Sequence, residues 1–204
     1  MHELLTQLIE DVQFSGDIRA DMGALLIHHG RPKTVEHSLR VASEAKRLAT
    51  RFGADEMRAE VAGWLHDISA VFPPGDCNRV ARQLGIDVLP EEDIYPLIIH
   101  QKLSAVIARE IFGLTNQEVL SAISCHTTLK TNASLLDKVV FVADKIQWDG
   151  HGESPFLDSI LAALEQSLDK AVLCYLDYLW QRRDTLPVLH PWLASAYRQV
   201  KEEQ

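Results

Sequence analysis

His66 and Asp67 stand side by side in the apolar segment Val61-Ala-Gly-Trp-Leu-His-Asp-Ile68. An ionised carboxylate beside an imidazole, in a stretch otherwise fit for a protein core, demands a countercharge, because burying it uncompensated costs several kcal/mol. A bound cation meets that demand. Four more residues of the same chemistry lie inside or beside apolar patterns: His37, His100, His126 and Asp144. A single imidazole on an apolar stripe is ordinarily a hydrogen-bonded core residue, but here the coincidence is repeated, and a buried aspartate is rarer than a buried histidine.

Imidazole and carboxylate without thiolate favour Fe, Mn, Co, Zn or Mg over a softer ion, and the donor set does not choose among these. Six ligands exceed what one catalytic ion uses while leaving room for water. The residues therefore predict two divalent ions, with Asp67 bridging, His37, His66 and Asp144 holding one, and His100 with His126 holding the other. Paired ions of this kind suit hydrolysis of phosphoesters and phosphoanhydrides, which places Asp67 and His66 at the catalytic heart of the site.

The elements that must position these residues read as helices, since apolar residues recur at three- and four-residue spacing and long alternating runs are absent. An all-α fold is expected. Thr34 is a candidate cap for a helix with the stripe Val41, Ala45, Leu48, Phe52, stopping at Gly53, with His37 one turn before Val41. Asp55 is expected to start the next helix, which carries His66-Asp67 near its end, and Pro73-Pro74 breaks the pattern. A short helix spans Asp76 to Leu84, closed by Gly85. A longer one follows Pro96 with His100 near its beginning, and Thr115 to Glu118 has the spacing of a capping box for a helix ending at His126. Ser134 to Asp137 resembles a second capping box, and four-residue steps from Leu136 and Val140 put Asp144 on the inward face. Helical patterns over about 155–184, with a break near Asp169, and from His190 to Glu202 complete the chain.

At 204 residues and 47% hydrophobic content, one domain spanning residues 1–204 is the default. The core motifs occupy about 33–146 and the C-terminal helices about 155–202. A net charge of −9 with scattered lysines and arginines argues against nucleic acid as a partner. No run approaches a membrane span, and the start of the chain lacks the pattern of a signal peptide. Cys77, Cys125 and Cys174 form neither a disulfide framework nor a zinc knuckle, which fits a reducing cytoplasm. Cys125 reads as a small core residue rather than a nucleophile, for want of a base and an orienting carboxylate. His2, His28, His29, His151 and His190 are set aside as ligands, and the hydroxyls of Thr127 and Thr128 are candidate donors to phosphate.

The order His37, His66-Asp67, Asp144 resembles the HD-domain metal-dependent phosphohydrolases. The narrower similarity is to the YqeK-like family, from about Lys33 to Ile146. It rests on Glu36-His-Ser-Leu-Arg-Val-Ala, Ala62-Gly-Trp-Leu-His-Asp-Ile, Ile98-Ile-His, Ala122-Ile-Ser-Cys-His-Thr-Thr and Val142-Ala-Asp-Lys-Ile. The resemblance implies a helical HD bundle enclosing a di-iron or similar centre, a nucleotide as small-molecule partner with a homodimer as the candidate assembly, and symmetrical hydrolysis of diadenosine tetraphosphate to two ADP. Other HD enzymes act on a mononucleotide or signalling nucleotide, and some HD modules bind without turnover; those are the rival readings. Four positions depart from the family pattern. Ala70 stands where a lysine is usual, Gln101 and Leu129 where glycine is usual, and Thr34 where an arginine often precedes the first histidine. Lys33, Lys102, Lys130 and Lys145 are the candidates to replace the missing cations at the substrate.

Overall fold

The computed structural model describes residues 1–150 and 152–203; His151 lies outside them. Among the described residues every regular element is helical. The chain opens with α1 (Glu3–Leu8) and α2 (Ile18–His28). The 21-residue α3 (Pro32–Phe52) follows, starting two residues before the expected cap at Thr34. Gly30, at φ 70°, turns the chain, Arg31 becomes the cap residue, and Pro32 brings a φ already suited to a first helical position. Gly53, at φ 80°, ends the helix as expected.

Asp55 caps α4 (Glu56–Leu65) by accepting the Arg58 amide, and α4 lies close against α3. A Cβ on Gly63 would stand only 2.5 Å from Cα and 2.7 Å from N of Ala42, so the approach of the two backbones requires glycine there. That approach brings His37, on α3, to His66, at the end of α4. Two 3-10 turns, Ile68–Val71 and Pro74–Asp76, lead to α5 (Cys77–Gln83). The sequence pattern does not announce α6 (Pro90–Ile94), which is a single acidic turn. A further 3-10 turn, Pro96–Ile99, runs into α7 (His100–Glu110).

The next helix, α8 (Gln117–Cys125), corrects a cap: Asn116, not Thr115, accepts the amides of Glu118 and Val119. The Asn116 carboxamide is one residue from the helix start and reaches those two orphan donors directly. Ser134 and Asp137 form the reciprocal capping box of α9 (Leu135–Ile146). The chain then folds into α10 (Leu157–Leu164), α11 (Leu168–Gln181), whose first turn is capped by Ser167, and α12 (Pro191–Glu202), capped by His190. The break expected near Asp169 falls before Leu168, where the Ser167 hydroxyl takes the Lys170 amide.

α3, α4, α8 and α9 enclose a core in which Val41, Leu48, Leu65, Ile123, Val140 and Phe141 have no exposure, continuous with Val172 and Leu176 of α11. Cys125 is buried in this core, and burial pushes its thiol well above the usual range, so it stays protonated as a core residue does. Among the described residues no helix is long and apolar enough to cross a membrane.

Candidate metal centre

Three of the four core histidines are aimed by helix ends. His66 follows the last residue of α4 and sets Nδ1 2.8 Å from the Gly63 carbonyl, while His126 does the same after α8 with Nδ1 2.8 Å from the Ile123 carbonyl. His100 stands at the junction of the 3-10 turn and α7, its Nδ1 2.5 Å from the Leu97 carbonyl. The last carbonyls of a helix have no intrahelical partner, so a ring one turn later can supply one. Since a carbonyl only accepts, Nδ1 is the protonated nitrogen in each ring and Nε2 points inward with a lone pair.

These Nε2 atoms converge. His37 Nε2 is 3.2 Å from His66 Nε2, and His100 Nε2 is 2.8 Å from His126 Nε2. Asp67 lies between the two pairs, with Oδ2 3.7 Å from His37 and 3.5 Å from His66, and Oδ1 3.3 Å from His100 and 3.5 Å from His126. Asp144 Oδ1 is 3.2 Å from His37 Nε2 and 3.6 Å from His66 Nε2. Two groups sharing Asp67, namely His37-His66-Asp67 and Asp67-His100-His126, have their donor atoms close enough to hold a metal ion each. Lone pairs facing lone pairs beside two carboxylates form a nest that only cations reconcile, so the donor set fits divalent metal.

The electrostatics carry the same message. Burial disfavours charge on His66, yet Asp67 and Asp144 outweigh it and push its pKa up to about 9. Burial, with repulsion from His66 and His100, takes His126 down to about 4 despite its bond to Asp67. Asp67 and Asp144 stay well below the usual carboxylate range although burial opposes their ionisation, the first held by His66, His100 and His126, the second by Lys145, His37 and His66. Protons on the histidines and metal ions are thus alternatives for the same nest.

Asp67 and His100 are the cluster residues that reach a cavity of about 370 Å³, whose lining also includes Arg31, Thr34, Ser69, Ala70, Phe72, Pro74, Cys77 and Leu97. One lining residue is a cation, and it is none of the lysines proposed above. Lys102 is occupied elsewhere: its ammonium binds Glu92 Oε2 at 2.8 Å and the Asp87 carbonyl at 3.0 Å, and rests over the Trp192 ring. Glu92 also meets His190 Nε2 at 3.3 Å, so Lys102 belongs to a buried tie between α6, α7 and α12. Lys130 binds Ser121 Oγ at 2.6 Å, and Lys33 is exposed and outside the cavity lining. Lys145 is buried against Asp144 Oδ2 at 2.5 Å, where it backs a cluster carboxylate instead of facing the cavity. Thr127 Oγ1 is at the cluster, 3.1 Å from His100 Nε2. Thr128 is buried and binds the Gln101 side chain at 3.0 Å and the Leu129 carbonyl at 2.9 Å, a structural use that leaves nothing for a phosphate. Two of the family departures thereby acquire roles. Gln101 ties α7 to residues 127 and 128 through its amide, and Leu129 sits at φ 57° in the left-handed region that glycine would occupy without strain.

Sequence reasoning missed Arg31. Its signal was present, since a cation lies next to Pro32 and the turn at Gly30, but only the structure reveals that this turn lies on the cavity. Its Nε is buried without a hydrogen-bond partner among the described residues.

Residues 34–149 match the family model described as HD domain. An uncharacterized protein in the pepC 5' region of Lactococcus lactis subsp. cremoris is 47% identical over 146 residues, 72% of this chain and 74% of that protein. The symmetrical bis(5'-nucleosyl)-tetraphosphatase of Staphylococcus aureus is 35% identical over 145 residues, 69% of this chain and 72% of the relative. The crystal structure of a predicted HD superfamily hydrolase involved in NAD metabolism from Clostridium acetobutylicum superposes with a TM-score of 0.82 at 26% identity, covering 94% of this chain and 100% of that one. A helical frame that converges histidines and aspartates on one nest, matched over most of its length by these proteins, places the chain in the HD domain family of hydrolases, in its YqeK-like branch.

Proposed function

We propose that the protein hydrolyses dinucleoside tetraphosphates symmetrically, with diadenosine tetraphosphate cut at its central anhydride to two ADP. His37, His66, Asp67 and Asp144 hold one divalent ion and Asp67, His100 and His126 a second. Bound there, such ions supply Lewis-acid polarisation of phosphoryl oxygens and a water acidic enough to serve as nucleophile near neutral pH. The observation that carries the reading is the shared position of Asp67, between two histidine pairs and on the floor of the cavity, where one carboxylate serves both halves of the cluster and faces the substrate. Arg31 and Thr34 on the rim supply a guanidinium and a hydroxyl to phosphate oxygens beyond the one attacked. Ala70, Phe72, Pro74 and Leu97 give the cavity an apolar wall suited to a nucleoside.

The cavity volume, near the lower end for small-molecule sites, is of the size of one nucleotide unit, with the rest of a dinucleotide extending past the open mouth. With one ADP unit seated, the bond presented to the cluster is the middle one. The same size supports a second reading, a phosphohydrolase of mononucleotides. Chromatography of early time points on diadenosine tetraphosphate separates them: ADP as the one product supports the symmetrical cut, equal ATP and AMP refutes it, and turnover confined to mononucleotides favours the second reading.

A further inference from the structure

His37 is the exception among the clustered histidines. His66 and His126 follow helix C-termini and His100 a 3-10 turn, so each finds a backbone carbonyl three residues back for Nδ1. His37 is the sixth residue of a 21-residue helix, where the carbonyls of the preceding turn are already engaged in the helical ladder. Its Nδ1 is buried and has no hydrogen-bond partner among the described residues. The ring that most needs an outside acceptor therefore has none in its own helix.

The carboxylate facing that nitrogen is Asp149, on the turn after α9, with Oδ2 3.9 Å from His37 Nδ1. A gap about 1 Å shorter is a charge-assisted hydrogen bond. The turn is braced for this. The Trp148 indole folds so tightly over Gly150 that a Cβ there would collide with it, and the same indole packs edge-on against Phe156 at 6.0 Å. Asp149 lies between Trp148 and Gly150, with a side chain 64% exposed and thus free to adjust by that distance.

We infer that Asp149 is the positioning carboxylate of His37, accepting its Nδ1–H and so fixing the direction and basicity of the Nε2 that faces the metal. The inference rests on the assignment of His37 as a ligand. Histidine ligands generally hand their second N–H to such a partner, and removing the partner commonly weakens metal binding about 10–100-fold. Asp144 lies in the last turn of α9 and Asp149 three residues beyond its end, so this one segment brings a carboxylate to each nitrogen of the His37 ring.

The test uses the Asp149→Asn variant and Zn2+ as the probe, with affinity measured by chelator competition and the ring nitrogens followed by NMR of 15N-histidine-labelled protein. His37 is assigned by the signal lost in His37→Gln. The expected result is a tenfold or greater loss of affinity together with a shift of the His37 Nδ1 signal, while the His66, His100 and His126 signals hold. Asp149→Glu, which restores a carboxylate on an exposed turn, should recover most of the affinity. Unchanged affinity, or a loss of affinity with an unmoved His37 signal, overturns the role of Asp149. Wild-type protein that binds no Zn2+ overturns the metal reading itself, a different outcome from wild-type binding that Asp149→Asn leaves intact.

Discussion

The two halves of the cluster are built differently. On the deep side, His37 and His66 have side chains 4% and 0% exposed and come from α3 and α4, which meet backbone to backbone at Gly63. On the open side, His100 has a side chain 28% exposed, stands at the end of a 3-10 turn and lines the cavity, while its partner His126 is buried, with a side chain 2% exposed. A dry half fixes ligand directions by packing, whereas a half with one histidine open to the cavity can also meet a substrate there. Asp67 belongs to both, so in the proposed two-ion site binding on one side would be felt on the other through it.

The largest expected effects test that sharing. Asp67→Ala should abolish both metal retention and phosphoanhydride hydrolysis, as read by elemental analysis and ADP release. His126→Ala, on the open half alone, should keep about one ion per chain while kcat falls by orders of magnitude. Near-wild-type kcat in His126→Ala would break the distinction between the halves. Stripping metal from the wild type should lower the melting temperature, since a ligand present at a hundred times its Kd stabilises by about 2.7 kcal/mol.

Next comes the deep half's geometry. Gly63→Ala forces a Cβ into the Ala42 backbone, so α3 and α4 must separate. A cost of about 1–3 kcal/mol is expected in denaturant unfolding, with weaker metal binding on the His37–His66 side. Wild-type stability and metal content in this variant would show that the close approach does not set the His37–His66 distance.

A smaller effect sharpens the account of the open half. Ala70 lines the cavity where a lysine is usual in the family, and Arg31 is the cation the structure does place there. Ala70→Lys should lower KM for the tetraphosphate by roughly two- to fivefold, the weight of one partly exposed charge contact, with little change in kcat. A rise in KM would mean that Arg31 already uses the available phosphate oxygens.

The smallest effect separates the scaffold from the cluster. Burial opposes ionisation of Asp21, but bonds from the Ser15 amide and hydroxyl and the Gly16 amide outweigh it and lower its pKa. A depressed carboxylate stabilises the fold above its ordinary value near 3.9 and loses that contribution as pH falls through the lower folded value. Asp21→Asn should flatten the acid limb of stability measured on metal-free protein, and an unchanged limb would assign acid sensitivity to other carboxylates.

The all-α frame was legible because its cause is local. The stripe Val41, Ala45, Leu48, the stop at Gly53, and the Ser134–Asp137 capping box each depend on residues within a few turns of one another. The same locality made the six histidines and aspartates conspicuous, since charge in an apolar run needs a reason wherever the run folds. What only the tertiary structure decided is which groups face each other across long separations. Lys102 has the type and place of a phosphate ligand in the sequence, but Glu92 and Trp192 engage it in the fold, as Gln101 engages Thr128. Nothing near Arg31 in sequence says that its turn lies on the cavity; the packing of α3 places it there. Periodicity and capping act over one or two turns and can be read from the chain. Competition for a cation or a hydroxyl is settled by distances between helices, which depend on the packing of the whole core.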